Sequence, residues 1–167
     1  MLIRPLTADE VELHQQLGAI TVATYRALIP EMDEDGYAEE LADVARRVAH
    51  ALVLVALDGD VVLGGITHVP DEHNAFAEVD VPNAASIRML AVDPAAQGRG
   101  VGEALVRACL ARAEADGRAE VVLHSTTVMT TAHRLYARLG FRRAEELDWY
   151  PEPDFLLMGF RRAVVSP

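Results

Sequence analysis

Cysteine occurs once in the 167 residues, at Cys109. No internal disulfide framework is therefore available, and no paired Cys/His spacing suggests a zinc site. Basic residues are scarce: 15 Lys and Arg stand against 26 Asp and Glu, a net charge of −11. That balance argues against nonspecific nucleic-acid binding, which depends on an excess of Lys and Arg. It leaves room for a cationic partner. Long apolar runs are missing as well. No stretch suffices to span a membrane, and the N-terminal MLIRPLTADEVEL lacks the apolar core of a signal peptide. A cytoplasmic protein without membrane or nucleic-acid partners is expected. Internal repeats and low-complexity linkers are also absent, so residues 1–167 are expected to form a single domain. What is abundant is apolar: 51% of residues are hydrophobic and 25% charged, the composition of a globular chain long enough to bury a core.

LIRPL reads as a short strand. In TADE, Thr7 and Glu10 form a capping box that opens a helix towards Leu28. Pro30 ends that helix, and the acidic stretch PEMDEDG (Glu31, Asp33, Glu34, Asp35) is expected to be a loop before a second helix through Leu41, Val44 and Val48. ALVLVALDGDVVLGGITHV is two β-rich runs joined at Asp58-Gly59, a hairpin signal. SIRMLAV and EVVLHS read as strands covered on both faces. Between them Leu105, Val106, Cys109, Leu110 and Ala113 recur at helical spacing, with Gly117 as the stop. Ala132, Leu135, Tyr136 and Leu139 fall at i, i+3, i+4 and i+7 before Gly140. FRRAEELDWY and FLLMGFRRAV close the chain as strands. The centre thus runs strand, loop, helix, strand, helix, which predicts two neighbouring parallel strands.

The loop between SIRMLAV and its helix holds Gln97, Gly98, Arg99, Gly100, Val101 and Gly102. Glycine is a poor helix former, so its repetition at a helix start needs a reason. Bare backbone amides at the positive end of a helix dipole suit an anion, and a diphosphate is a sensible ligand. The P-loop is excluded, because Gly102 is followed by Glu103-Ala104 rather than Lys-Ser/Thr. The dinucleotide fingerprint is not matched either: the glycines run G-x-G-x-G, and the next strand ends in His124-Ser125 rather than an acid.

Gln97-Gly98-Arg99-Gly100-Val101-Gly102, with AHRLYARLGF (Ala132 to Phe141) after it, resembles the paired motifs of the GNAT superfamily of N-acetyltransferases. The similarity is close from Ile87 to Phe141. It implies an α/β (α+β) fold: a mixed central sheet of about six to seven strands flanked by about four helices. The two parallel strands would splay to hold the pantetheine of acetyl-CoA. The resemblance places the pyrophosphate on the loop from Gln97 to Glu103, including Gly98, Arg99, Gly100, Val101 and Gly102. It places the pantetheine along Leu90, Ala91 and Val92, and gives Tyr136 the protonation of the departing CoA thiolate. Helical spacing alone would leave Tyr136 in the core. The implied activity is acetyl transfer from acetyl-CoA to a primary amine of a small molecule or peptide by direct attack. The alternative is a noncatalytic acyl-CoA-binding sensor. Relatives also form homodimers, which nothing in this sequence decides.

Direct attack needs no enzyme nucleophile, so Cys109 is read as core. An ammonium acceptor must lose a proton to some base. Glu78, Asp80, Glu72 and His73 are candidates, none singled out. Family members carry an asparagine where Met129 stands, so a polar pantetheine contact is missing there, with Thr130 or Thr131 able to cap the helix instead. No metal site is expected from the six histidines. Trp149 and Tyr150 are read as an apolar plug over the sheet end, with contact to the acceptor as the alternative, and the acidic stretch from Glu31 as a solvated loop rather than a steering surface.

Overall fold

A computed structural model describes residues 1–164, with residues 33–35 described in backbone only. The chain forms β1 (Leu2–Pro5), α1 (Val11–Leu28), α2 (Tyr37–Ala42), α3 (Val44–His50), β2 (Leu52–Asp58), β3 (Val61–Val69) and β4 (Ala84–Val92). It continues with α4 (Val101–Ala115), β5 (Glu120–Thr126), α5 (Thr130–Arg138), β6 (Arg142–Arg143), β7 (Trp149–Glu152) and β8 (Phe155–Ala163). All eight strands join one sheet in the order β1-β2-β3-β4-β5-β8-β6, with β7 on β8. Every pairing is antiparallel except β4 with β5. The mixed sheet and parallel central pair match the expectation.

The sheet is covered on both faces, which is why its central strands are apolar at both alternations. On one face Val101, Leu105, Val106, Cys109, Leu110 and Ala113 of α4 are buried with Val121 and Leu123 of β5 and Tyr136 of α5. On the other, Leu17 and Val44 pack with Val53, Val55 and Val62, while Met89 of β4 packs with Met32 and Leu41. Each fully buried side chain of this size contributes about 2 kcal/mol of apolar burial. Cys109 lies in the α4 core, and burial pushes its thiol pKa up, so it is an inert packing residue.

Local details depart from the sequence expectations. Glu10 does reach back to the Thr7 amide at 2.8 Å, but α1 starts at Val11 without a side-chain cap, because the Glu10 carboxylate is taken up by Arg4. The expected second helix is two helices, broken at Asp43, whose carboxylate accepts from the Arg46 amide at 3.0 Å and caps α3. The acidic stretch is a 3-10 turn, Pro30–Asp35, rather than an open loop. Glu31 is exposed, and the side chains of Asp33, Glu34 and Asp35 lie outside the described residues. FRRAEELDWY is not one strand: β6 and β7 are separated by a 3-10 turn. Trp149 and Tyr150 do not plug the sheet end, since both are exposed on β7. Among the described residues, no helix is long and apolar enough to cross a membrane.

His68, on β3 between Leu52 and Ile87, is 1% exposed, and among the described residues neither ring nitrogen has a hydrogen-bond partner. Burial lowers its pKa to about 4, against a smaller opposing pull from Asp116. As pH falls through about 6.5 the unfolded chain takes up this proton first, so stability falls until the folded imidazole also protonates near pH 4. The expected loss from this group is about 2 kcal/mol between pH 7 and pH 5. Urea denaturation of the wild type and of His68→Leu at both values checks it. The variant should lose that much less, and equal losses would assign the acid sensitivity to other groups.

Candidate active site

The parallel pair is where the sheet opens. β4 and β5 are in register only at Ala84↔Glu120, Ala85↔Val121 and Ser86↔Val122. Beyond Ser86 the two strands part, leaving the β5-facing edge of β4 from Ile87 to Val92 without a strand partner among the described residues. A bulge sits on the other edge at the same level. Thr67 pairs with Arg88 and Gly65 with Ala91, so Met89 and Leu90 together oppose Ile66. Met89 takes φ +56°, a left-handed conformation that costs a residue with a Cβ about 1–2 kcal/mol. Gly64 makes the close packing beside the bulge feasible, because a Cβ there would lie 2.5 Å from the Ala91 carbonyl oxygen.

The parted strands form a narrow cleft lined by Ile87, Arg88, Met89 and Leu90 of β4 and by His124 and Ser125 of β5. Tyr25 of α1, Met129, and Ala132 and Tyr136 of α5 complete its walls. Tyr136 is 6% exposed, with its ring against Phe141 and Phe160 at centroid distances of 5.7 and 6.1 Å. Burial raises its pKa, so the phenol stays protonated through neutral pH, and no hydrogen bond holds its hydroxyl among the described residues. Core packing and cleft lining are thus both true of this residue. Next to it, Ser125 Oγ and His133 Nε2 are 3.1 Å apart, and burial lowers the His133 pKa, which favours the neutral ring. His124 Nε2 lies 2.7 Å from the Leu147 carbonyl.

The glycine loop leads from the far end of β4 into α4. Gly98 and Gly100 have φ +79° and +75°, and nothing lies within 4 Å of where either Cβ would be. The first intrahelical bond of α4 is Ala104 N–H to Gly100 C=O, at 3.0 Å. The amides of Val101, Gly102 and Glu103 are therefore free of the helix ladder, and Gly100 brings no side chain to cap them. Such a helix end fits a diphosphate. Arg99 is not turned inward: it meets Asp58 at 3.4 Å in an exposed pair. The Glu103 carboxylate, a repulsive group for an anion, is engaged by Arg107 at 2.9 Å and Arg138 at 3.7 Å.

Of the four proton acceptors considered from sequence, only Glu78 is brought to the cleft wall. Its Oε1 lies 3.0 Å from Nε of the cleft-lining Arg88. Glu72 accepts from the Asn83 amide at 3.3 Å and closes its own loop, and His73 and Asp80 are exposed. Met129 is the N-cap of α5 without a side-chain cap, so Thr130 and Thr131 do not supply one. Sequence reasoning did not single out Tyr25, Arg88, His124 or Ser125. Arg88 was the most legible of these, a charge set inside the apolar strand SIRMLAV. No group of three or more His, Cys, Asp or Glu side chains among the described residues is placed to hold a metal ion.

A family model described as the acetyltransferase (GNAT) family matches residues 16–141. Human N-acetylaspartate synthetase is 34% identical over 104 residues, 62% of this chain and 32% of that protein. Mycothiol acetyltransferase of Sanguibacter keddieii is 37% identical over 108 residues, 61% of this chain and 33% of that protein. The chain thus spans about a third of the length of these relatives. The solved structure of an aminoglycoside 6'-N-acetyltransferase complexed with coenzyme A shares the fold: TM-score 0.73 at 16% identity, covering 100% of this chain and 99% of that one.

Proposed function

The chain belongs to the acetyltransferase (GNAT) family, and from that premise we propose that it transfers the acetyl group of acetyl-CoA to a primary amine of a small molecule or peptide by direct attack. The observation that carries this reading is the parting of β4 from β5 beyond Ser86, with Tyr136 in the wall of the opening and unpaired amides where β4 leads into α4. The free edge at Leu90, Ala91 and Val92 takes the pantetheine as an added strand would pair. The amides from Gly98 to Glu103 take the pyrophosphate. Gln97 precedes that loop and adds a side-chain donor at its rim, while Arg99 stays with Asp58.

In the reaction the neutral amine nitrogen attacks the thioester carbonyl carbon. The C–N bond forms, negative charge gathers on the carbonyl oxygen, and backbone amides beside the Met89 bulge stabilise it. The C–S bond then breaks, and Tyr136 gives its hydroxyl proton to the departing sulfur. Before the attack the ammonium gives one proton to a base on the cleft wall, Glu78 in this reading; after the attack the nitrogen loses a second proton, which returns through solvent to the tyrosinate. The products are the N-acetylated amine and CoA. The relatives are named for N-acetylaspartate and mycothiol, which supports a small-molecule acceptor over a protein one.

CoA thiol release from acetyl-CoA, measured with pooled amines, amino acids and peptides, tests this. Acceptor-dependent release is expected. Acetyl-CoA binding without release above the hydrolysis background would make the chain an acyl-CoA sensor instead.

A further inference from the structure

Two arginines lie near one another, Arg88 lining the cleft and Arg47 buried behind it. Arg88 reaches into it from β4 with a side chain 15% exposed. Its Nε is held by Glu78 at 3.0 Å, and its Nη1 donates to the Phe76 carbonyl at 3.3 Å. Its Nη2 lies 3.9 Å from Glu40, beyond hydrogen-bond distance, and Tyr37 is a further polar neighbour of the guanidinium. Across the ladder from Arg88 is Thr67 of β3, whose hydroxyl accepts from Nη1 of Arg47 at 3.0 Å. Arg47 is 1% exposed. Its Nη2 donates to the Leu41 carbonyl at 3.0 Å, and its Nε has no partner. No carboxylate pairs with Arg47 among the described residues. Burial lowers its pKa to about 10, so it remains charged at neutral pH.

A guanidinium this deep without an anion costs the fold several kcal/mol, and a packed apolar side chain would serve stability better. Structural need therefore does not explain it. The surroundings supply the missing half of an explanation: a second guanidinium, its side chain 15% exposed and one nitrogen without a close carboxylate, lines the cleft where the acceptor has to lie. The protein as a whole carries −11, so its long-range field repels anions, and an anionic ligand group needs local positive charge of this kind.

We propose that the acceptor is an amine that also carries a carboxylate, an amino-acid-like zwitterion, whose carboxylate binds Nη2 of Arg88 in the positive field of Arg47. Glu78, fixed on the other side of the same guanidinium, then lies on the side of the ammonium. This rests on the acetyl-transfer reading and narrows its substrate class, away from the polycationic amines that an acidic surface alone would suggest.

The test compares CoA release with free amino acids, the same amino acids as carboxamides, and diamines. The amine of a carboxamide is less basic and so more often neutral at a given pH, which means intrinsic reactivity favours the amide. A preference for the acid has to come from binding. At least one free amino acid is expected to exceed its carboxamide about tenfold in kcat/KM, chiefly through KM. In Arg88→Met that ratio is expected to fall to within about twofold, with the acetyl-CoA Kd by calorimetry unchanged. Arg88→Lys keeps a charge for Glu78 to pair with, secures the fold if the methionine variant does not, and should recover part of the preference. Release confined to carboxamides or diamines, or an acid preference that survives in both variants, overturns the acceptor class and leaves the transferase reading intact. Bound acetyl-CoA with no release for any acceptor overturns both.

Discussion

Gly100→Glu is expected to weaken acetyl-CoA binding at least a hundredfold, about 2.7 kcal/mol, while the protein stays folded. Gly100 is the N-cap of α4 at φ +75°, directly before the unpaired amides proposed to hold the pyrophosphate. A glutamate there acts twice. It sets a carboxylate beside a diphosphate, and like charges brought together at an interface cost several kcal/mol. It also strains the left-handed backbone by about 1–2 kcal/mol, which reaims the amides. Gly117→Glu separates the two effects, because Gly117 sits at the other end of α4 with φ +70° and open space around it. The control should lose a comparable amount of thermal stability and keep its acetyl-CoA affinity by calorimetry. Equal affinity in the wild type and Gly100→Glu would remove the pyrophosphate from this loop.

Tyr136→Phe is expected to lower kcat about a hundredfold, at the low end of what a positioned general acid supplies, with acetyl-CoA affinity within about twofold of wild type. The ring packing against Phe141 and Phe160 survives the substitution, and the hydroxyl that is lost has no hydrogen-bond partner among the described residues, so melting temperature should hardly move. Burial raises the phenol pKa, which on its own makes it a reluctant acid. The same burial disfavours a free thiolate on the departing sulfur, which is why a proton donor is needed there. Because the phenol is protonated well beyond neutrality, the rate deficit of the variant should be constant from pH 6 to pH 9. A variant with wild-type kcat would make Tyr136 a packing residue and move the proton donor elsewhere in the cleft, to the neighbouring Ser125–His133 pair first.

Much of the frame is visible in the residues themselves, and the reason is locality. Asp58-Gly59 marks the β2–β3 hairpin because Gly59 takes φ +60° in a two-residue turn. Gly117 and Gly140 mark helix ends for the same reason, with φ +70° and +87°. The apolar spacing from Leu105 to Ala113 corresponds to the buried face of α4, and the strand-helix-strand order around it accounts for the parallel pair. The open glycine backbone before α4 is legible because it is a property of a few consecutive residues.

Where two distant segments meet, the sequence carried less. Nothing in PEMDEDGYAEELADVARR announces that Asp43 splits a helix by capping the next one. Arg99 looked like a phosphate ligand from its neighbours in the chain, but Asp58, forty-odd residues earlier, reaches it first. Glu78, Asp80, Glu72 and His73 were equivalent as a string. The fold separates them by putting Arg88 beside Glu78 alone and leaving the others to their loop or to solvent.

By itself, then, the sequence determined the order of strand, loop, helix, strand and helix at the centre, the parallel pair there, the open glycine backbone before α4 and the family, because each depends on short-range backbone preferences or on contiguous motifs. The tertiary structure alone decided that β4 and β5 part after three paired residues, that Met89 is forced to positive φ at the parting, and that Tyr25, Arg88, Ser125 and Tyr136 converge on one cleft. It also decided that Arg47 is left buried with no carboxylate paired to it among the described residues. These are consequences of side chains from α1, α3, β3, β4, β5 and α5 competing for one volume, and the charge balance in that volume is a sum over partners that no single segment contains.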